Sequence, residues 1–567
     1  MGDVLRWWIM AHVPASVRRV RAALALLIGM GLPCLPTLVC AQSSTPNTPA
    51  KTEAGPPQPS PASRAAPPKV TFEIQAYDVD GNTLLDQEAI ESAVYPFTGP
   101  DRTRDDVASA RDALQKAYQG KGYQSVVVEV PAQDARTGVI RLHVVEAPVG
   151  RLRVVDSRYF SLDRIKEQVP SLKEGQVPNF NEAQKEVAEV NRLPERRVTP
   201  LIKPGKIPGT VDVDLKVSDT LPLHASFEIN NDHSANTTPL RTAATVTYSD
   251  LWQLGHSFSA TALLAPENTN EALVFSGSYL APIWGTPWSV LLYGYTSNST
   301  VATLGGTNVL GDGYAVGTRG LLQLPQFGDF AESLGFGIDF KHFLETLSLG
   351  KTSTQAIVEY WPAVVNYTLQ FADGGSSASA SATLTLGVRG LGSSTAEFQN
   401  KRFSARSDFV HLNLDFNALQ EIPGGFQVAG RLSTQLADQP LVSSEQFSVG
   451  GLTSVRGYLQ SEALGDDGIL GSIEVRTPSV TPLLGSAMES YFDDWRLFVF
   501  ADDAETWVLD ALPGQQSQFR LKSVGIGTRF HALSHVTGDV DFAFPLLTGP
   551  NTRGKQPYVQ FSLKSEL

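Results

Sequence analysis

The chain has 567 residues, of which 42% are hydrophobic and only 18% charged, with 48 glycines. That mix excludes a disordered chain and a coiled coil, both of which need more charge. The net charge of −13, with no basic cluster, excludes a nucleic-acid binder.

No stretch reaches the roughly 18 uninterrupted apolar residues that a bilayer-spanning helix needs. The most apolar run, Ala22–Leu32, follows Arg18, Arg19 and Arg21 and has the length of a signal-peptide core. Val39-Cys40-Ala41 reads as a cleavage site, so residues 1–41 are an expected leader. A lipoprotein acylated on Cys40 is the rival reading. The two cysteines, Cys34 and Cys40, both lie in that leader, so the exported chain must draw its stability from a core or a closed sheet.

Residues 42–69 are rich in Pro, Ala and Ser and read as an extended linker. From Val70 the texture becomes α+β. Val70–Ile74 alternates like a strand and Gly81-Asn82 marks a turn. Leu85–Tyr95 and Thr103–Gln119 have helical spacing, the latter with Val107, Ala110, Leu114 and Tyr118 on one face. Gly120-Lys121-Gly122 ends that helix, and Tyr123–Val130 and Val139–Val145 read as strands. The order strand, helix, helix, strand, strand returns: Arg151–Val155, Leu162–Val169, Asn181–Asn191, Thr199–Lys203 and Val211–Val217. Two tandem modules of about 75 residues follow from this repeat.

After Leu223 the helical signal fades and alternating segments follow one another. Val410–Asn417 is the clearest, and Leu334–Phe340, Ala380–Val388, Phe426–Leu432 and Val536–Phe544 behave alike. A soluble sandwich has the same period, but the 346 residues 222–567 are long for one. Aromatics near expected segment ends (Tyr248, Trp252, Trp284, Trp288, Trp361, Trp495, Trp507) and the absence of disulfides favour a transmembrane antiparallel β-barrel of about sixteen strands. The acidic pairs Asp466-Asp467, Asp493-Asp494 and Asp502-Asp503 read as solvated turns or lumen faces rather than a cation site.

The richest stretch is Phe447–Tyr458, which carries Gly450-Gly451 and then Val455-Arg456-Gly457-Tyr458, and it continues through Glu462–Gly468 to Ser472–Pro478. Here the chain resembles the TpsB family of two-partner secretion transporters, within the superfamily that includes the barrel-assembly protein BamA. Phe498–Asp502 resembles the family's Phe-x-Asp strand motif, with Phe500 and Asp502 at the matching positions. The family pattern has Gly two residues beyond the Asp, where Ala504 stands here. The resemblance implies that Arg456 sits on the sixth extracellular loop, folds into the barrel lumen and meets Asp502. Alternate strand residues share a face, so Phe500 and Asp502 can point inward together. A planar guanidinium grips a carboxylate with two bonds, which an ammonium cannot copy.

Upstream, Gly120–Tyr123 and Ile140–Glu146 resemble a first POTRA domain (70–148), and Asn191–Val198 with Lys203-Pro204-Gly205 a second (149–220). The resemblance thus implies two periplasmic α+β POTRA domains before a barrel over 222–567. The implied function is secretion of a partner across the bacterial outer membrane. The partners implied are a secreted TpsA-type exoprotein, outer-membrane lipid and the barrel-assembly machinery. It implies no enzyme, no cofactor and no metal. The alternative is a BamA-type assembly factor, and a passive porin leaves the two modules and the Arg456 motif without a role. Residues 42–69 hold too many prolines for the plugging helix of many relatives, and the chain ends on Leu567 where family barrels often end on an aromatic.

Overall fold

The computed structural model describes residues 71–298, 302–304, 307–309, 312–349 and 352–567. The expected leader and linker, residues 1–41 and 42–69, lie outside the described residues. The chain divides into two compact units, one ending near Ser218 and one reaching Leu567.

The first unit holds two α+β modules. Module one contains β1 (Phe72–Ile74), β2 (Ala76–Asp80), α1 (Gln87–Val94), β3 (Gly99–Arg102), α2 (Arg104–Gly120), β4 (Val126–Glu129) and β5 (Val139–Glu146). Its main sheet has the order β2-β5-β4, with β2 parallel to β5, and β1 pairs with β3. Asp86 caps α1 through Ala89 N–H, and Thr103 and Asp106 form a reciprocal capping box on α2. Leu114, Tyr118 and Leu142 are wholly buried between helix and sheet. The sequence pattern misses β2, which is short and holds two Asp in five residues, and β3, which opens on Gly-Pro; only Tyr77 and Val79 of β2 pack on the core.

Module two contains β6 (Val149–Val155), α3 (Leu162–Glu167), α4 (Phe180–Val190), β7 (Arg196–Pro204) and β8 (Val211–Asp219), with sheet order β6-β8-β7. Asn179 caps α4. Asp214 binds Lys203 Nζ and Arg153 Nη2, each at 2.8 Å, and these two cations hold its carboxyl below the usual aspartate range. In each module the two outer strands of the sheet end its hydrogen-bonded order: β2 and β4 in the first, β6 and β7 in the second.

The second unit is a closed antiparallel barrel of sixteen strands. Its first half runs β9 (Leu223–Asn230), β10 (Arg241–Leu251), β11 (His256–Leu264), β12 (Leu273–Pro282) and β13 (Trp288–Ser297). A small hairpin, β14 (Ala302–Leu304) and β15 (Thr307–Val309), leads to β16 (Asp312–Gln323), β17 (Phe330–Leu349), β18 (Thr352–Asp373) and β19 (Ser376–Gly392). Helix α5 (Thr395–Lys401) precedes β20 (Val410–Ile422) and β21 (Phe426–Ala437). A hairpin of β22 (Phe447–Val449) and β23 (Ala463–Gly465) stands apart from the wall. The wall resumes with β24 (Asp467–Arg476) and, after α6 (Ser486–Glu489), β25 (Phe492–Trp507), β26 (Gln518–Ala532), β27 (Val536–Pro545) and β28 (Tyr558–Glu566). Pairing of β28 with β9 closes the ring over only five residue pairs, Ser562↔Asn230 to Glu566↔Ser226.

Alternation assigns the faces. Along β25, Leu497 (48% exposed) and Val499 (54%) point outward, while Phe498, Phe500 and Asp502 are buried on the inner side. Phe227, Phe275, Phe336, Ile526 and Phe542 extend the exposed apolar band round the wall. Connections at one end are mostly short, such as 252–255, 374–375 and 533–535. Those at the other end are mostly longer, and the sixth of these, residues 438–466, carries the β22–β23 hairpin.

Candidate functional site

The sixth loop folds back and delivers its tip to the inner wall. Gly450 and Gly451, at φ of +109° and +106°, turn the chain where a side chain has no room. A Cβ on Gly450 would stand 2.4 Å from the Leu459 carbonyl oxygen. Ser454 Oγ accepts from Gly450 N–H at 2.7 Å and closes the bend.

Arg456 follows, 7% exposed. Its Nε donates to Asp502 Oδ2 at 3.0 Å and its Nη2 to Asp502 Oδ1 at 3.0 Å, a two-bond fork. Its backbone N–H adds a third bond to Asp502 Oδ2 at 3.1 Å. Nη1 donates to Glu474 Oε2 at 2.8 Å, and Asp541 Oδ1 lies 3.9 Å away. Ser472, directly opposite Asp502 across the ladder, donates to Asp502 Oδ1 at 2.6 Å and fixes the carboxylate plane.

The guanidinium also lies over the ring of Phe500, its carbon 3.5 Å from the ring centre. The ring can lie flat because Gly525 faces it on β26; a Cβ there would come within 2.4 Å of the ring. Gly527 makes the same room for Phe498. These two glycines, spaced by two on the neighbouring strand, are the sequence trace of the platform.

Val455, Gly457 and Tyr458 seat the rest of the tip. Val455 and Tyr458 are fully buried among Val449, Leu470, Ala504 and Leu521. The methyl of Ala504, where the family pattern has Gly, is absorbed into this packing. The Tyr458 hydroxyl donates to the Leu547 carbonyl at 2.7 Å. Gly457 has φ +86°, and its N–H donates to Gln560 Oε1 at 2.6 Å; a Cβ there would meet Ala543 Cβ at 2.9 Å. Glu462 accepts from the N–H groups of Asn551 and Thr552. On the first strand's side, Leu452 N–H donates to Asp232 Oδ1 at 3.0 Å.

The tip therefore contacts groups next to both ends of the barrel sheet. Glu474, Asp541, Gln560, Glu462 and Asp232 are the contacts that sequence reasoning left without a role. Glu462 and Glu474 lie in the conspicuous stretch itself, but Asp232 and Gln560 are far along the chain and meet it only through closure of the ring.

One reading needs correction. Asp466 is neither a solvated turn nor a lumen face: it is fully buried at the loop's root. It accepts from Leu441 N–H at 2.9 Å, Leu509 N–H at 2.7 Å and Gln446 Nε2 at 2.9 Å. Below the tip lies a cavity of about 1200 Å³ whose lining includes Arg431, Glu474, Arg476, Arg529 and Asp539. Its wall is charged with both signs, the chemistry of a wet passage rather than of an apolar ligand pocket.

A closed barrel with an apolar outer band, a charged interior and α+β modules before it is the architecture of an outer-membrane pore. Residues 72–147 match the ShlB-type POTRA domain, and residues 209–493 match the haemolysin secretion/activation protein ShlB/FhaC/HecB. The chain belongs to this TpsB family, whose members are non-catalytic outer-membrane transporters for a secreted partner. The heme/hemopexin transporter protein HuxB of Haemophilus influenzae (strain ATCC 51907 / DSM 11121 / KW20 / Rd) is 19% identical over 495 residues, covering 86% of this chain and 85% of that protein. The solved structure of CdiB from Escherichia coli covers 90% of this chain and 93% of its own, at 18% identity and a TM-score of 0.55. BamA from Haemophilus ducreyi, lacking POTRA domains 1–3, covers 88% and 100% at 13% identity and a TM-score of 0.53. These likenesses in structure establish the shared fold.

Proposed function

We propose that this chain exports a TpsA-type exoprotein by two-partner secretion, with Arg456 and Asp502 as the clasp that holds the sixth loop across the passage. Residues 70–148 and 149–220 act as capture modules and 222–567 as the pore. An extended polypeptide docks on a free sheet edge of a module by main-chain hydrogen bonds. It then enters the charged lumen, and the loop tip withdraws to let it pass. The observation that carries this reading is the Arg456 site. A guanidinium with two carboxylates, a flat aromatic platform and glycines that make room for the loop tip and the rings is more elaborate than a barrel needs to stay closed.

The clasp suits a gate. Breaking a buried pair by removing one partner costs about 3–5 kcal/mol, because a charge is left unpaired. Withdrawal of the tip parts two charges that water can then resolvate, so opening costs less than deleting a partner and is within reach of a passing polypeptide that supplies other contacts. The barrel itself is inserted by the barrel-assembly machinery. Arg456→Ala should abolish secretion of the partner while the barrel still inserts and shifts on gels when heated. Normal secretion by an inserted Arg456→Ala barrel would remove the role given to the clasp. A BamA-type assembly role would instead show as general loss of outer-membrane proteins on depletion, rather than of one exported protein.

A further inference from the structure

The loop is held at two levels, and only one of them is the Arg456 clasp. Nearer its root, Glu445 on the leg between β21 and β22 is 6% exposed and meets three side chains from a different sector of the wall. Its Oε1 accepts from Lys341 Nζ of β17 at 2.6 Å and from the Tyr360 hydroxyl of β18 at 2.6 Å. Its Oε2 lies 3.2 Å from His411 Nε2 of β20. The Tyr360 hydroxyl also lies 2.8 Å from Ser444 Oγ, and His411 Nδ1 lies 2.9 Å from Asn413 Oδ1. Leu441 and Val442, just before, are sealed against Phe343, Phe398 and Phe409.

The returning leg is fixed at the same level by Asp466. Gln435 Nε2 ties the two legs together, donating at 3.0 Å to the carbonyls of both Glu445 and Asp466. None of the strands that hold Glu445 takes part in the Arg456 clasp, which uses β24, β25 and β27. The two attachments are separate, so loss of one leaves the other in place.

We propose that Glu445, through Lys341, Tyr360 and His411, is the fixed foot of the sixth loop. On this view the β22–β23 hairpin and its tip swing about Glu445 and Asp466 and the root does not leave the lumen. The inference rests on the gating role given to Arg456, and it makes Glu445 a positioning residue for that tip. A buried carboxylate with an ammonium, a phenol and an imidazole converging on it is costly to assemble for a leg that must come away with the tip.

The test uses pairs of spin labels in the full chain, in lipid nanodiscs, with Cys34 and Cys40 replaced by Ser. One pair joins Thr286, on the short 283–287 connection, to Ser443 at the foot. The other joins Thr286 to Thr453 at the tip. In Arg456→Ala the Thr453 distance should broaden while the Ser443 distance stays as in the parent. In Glu445→Gln the Ser443 distance should broaden. Lys341→Met should do the same, and the double variant should broaden no further than either single one, since both act through one contact. Should Glu445→Gln fail to insert, Lys341→Met decides between the two outcomes. A Ser443 distance that moves with the tip in Arg456→Ala, or that stays put in the inserted foot variants, overturns the proposal. An unchanged Thr453 distance together with normal secretion in Arg456→Ala counts against the clasp instead, and the foot is then judged on its own pair.

Discussion

The periplasmic modules and the barrel use the same alternation of residues with opposite sense. In module one, Leu114 and Leu142 are hidden and Asp78, Asp80 and Arg141 stand outside. In the barrel, Phe275 and Ile526 stand outside and Arg456, Asp502 and Asp541 are hidden. The difference is one of solvent. Water surrounds the first fold and apolar side chains retreat from it. Lipid surrounds the second, so apolar side chains face out and charged ones are gathered within. Burial of charge in the barrel therefore marks a polar interior in which specific pairs can be built, and the Arg456 site is the most developed of them.

That contrast can be broken by substitution. Leu142→Ala in module one should cost about 2–5 kcal/mol, the range for emptying a packed core site, read from denaturant unfolding of the periplasmic transition. Ile526→Arg, on the outer face of β26, should cost about 2–4 kcal/mol of barrel stability in a bilayer. The same change at Val127 of β4, which is also exposed, should stay within about 0.5 kcal/mol, because its surroundings are aqueous. Equal effects at Ile526 and Val127 would remove the lipid-facing assignment.

A smaller effect sharpens the comparison from the aqueous side. Asp214 has its carboxyl held low by Lys203 and Arg153. The unfolded chain therefore binds its proton more readily than the folded module does. The stabilisation is fully present above the ordinary aspartate pKa and is lost as pH falls through the lower folded value. Acid unfolding of the modules should lose part of its steepness in Asp214→Asn, and an unchanged acid limb would show that the pair contributes nothing.

Much of this architecture could be read from the chain. Val410–Asn417 and Val536–Phe544 announce strands by period two, and α2 announces itself through Val107, Ala110, Leu114 and Tyr118. Period two says nothing of which face meets lipid, so the length of the region, its aromatics and the family resemblance had to decide. The loop motif and the Phe500–Asp502 pair stood out because they are contiguous signatures. Glu445 with Lys341, Tyr360 and His411, and Gly457 with Gln560, did not. Those contacts join residues between 34 and 104 positions apart, and only the curvature of the closed wall brings them together. Asp466 was misjudged for a related reason: an acidic pair beside a glycine looks like a surface turn until a returning loop buries it.

The central claim is that a guanidinium fork, and not positive charge alone, keeps the sixth loop seated for transport. Arg456→Lys tests it most directly, because it keeps the charge and removes both the second bond to Asp502 and the flat contact with Phe500. In barrels shown to be inserted by heat-modifiable migration, secretion of the partner should fall nearly as far as in Arg456→Ala. Secretion at the parent level in Arg456→Lys would contradict the account.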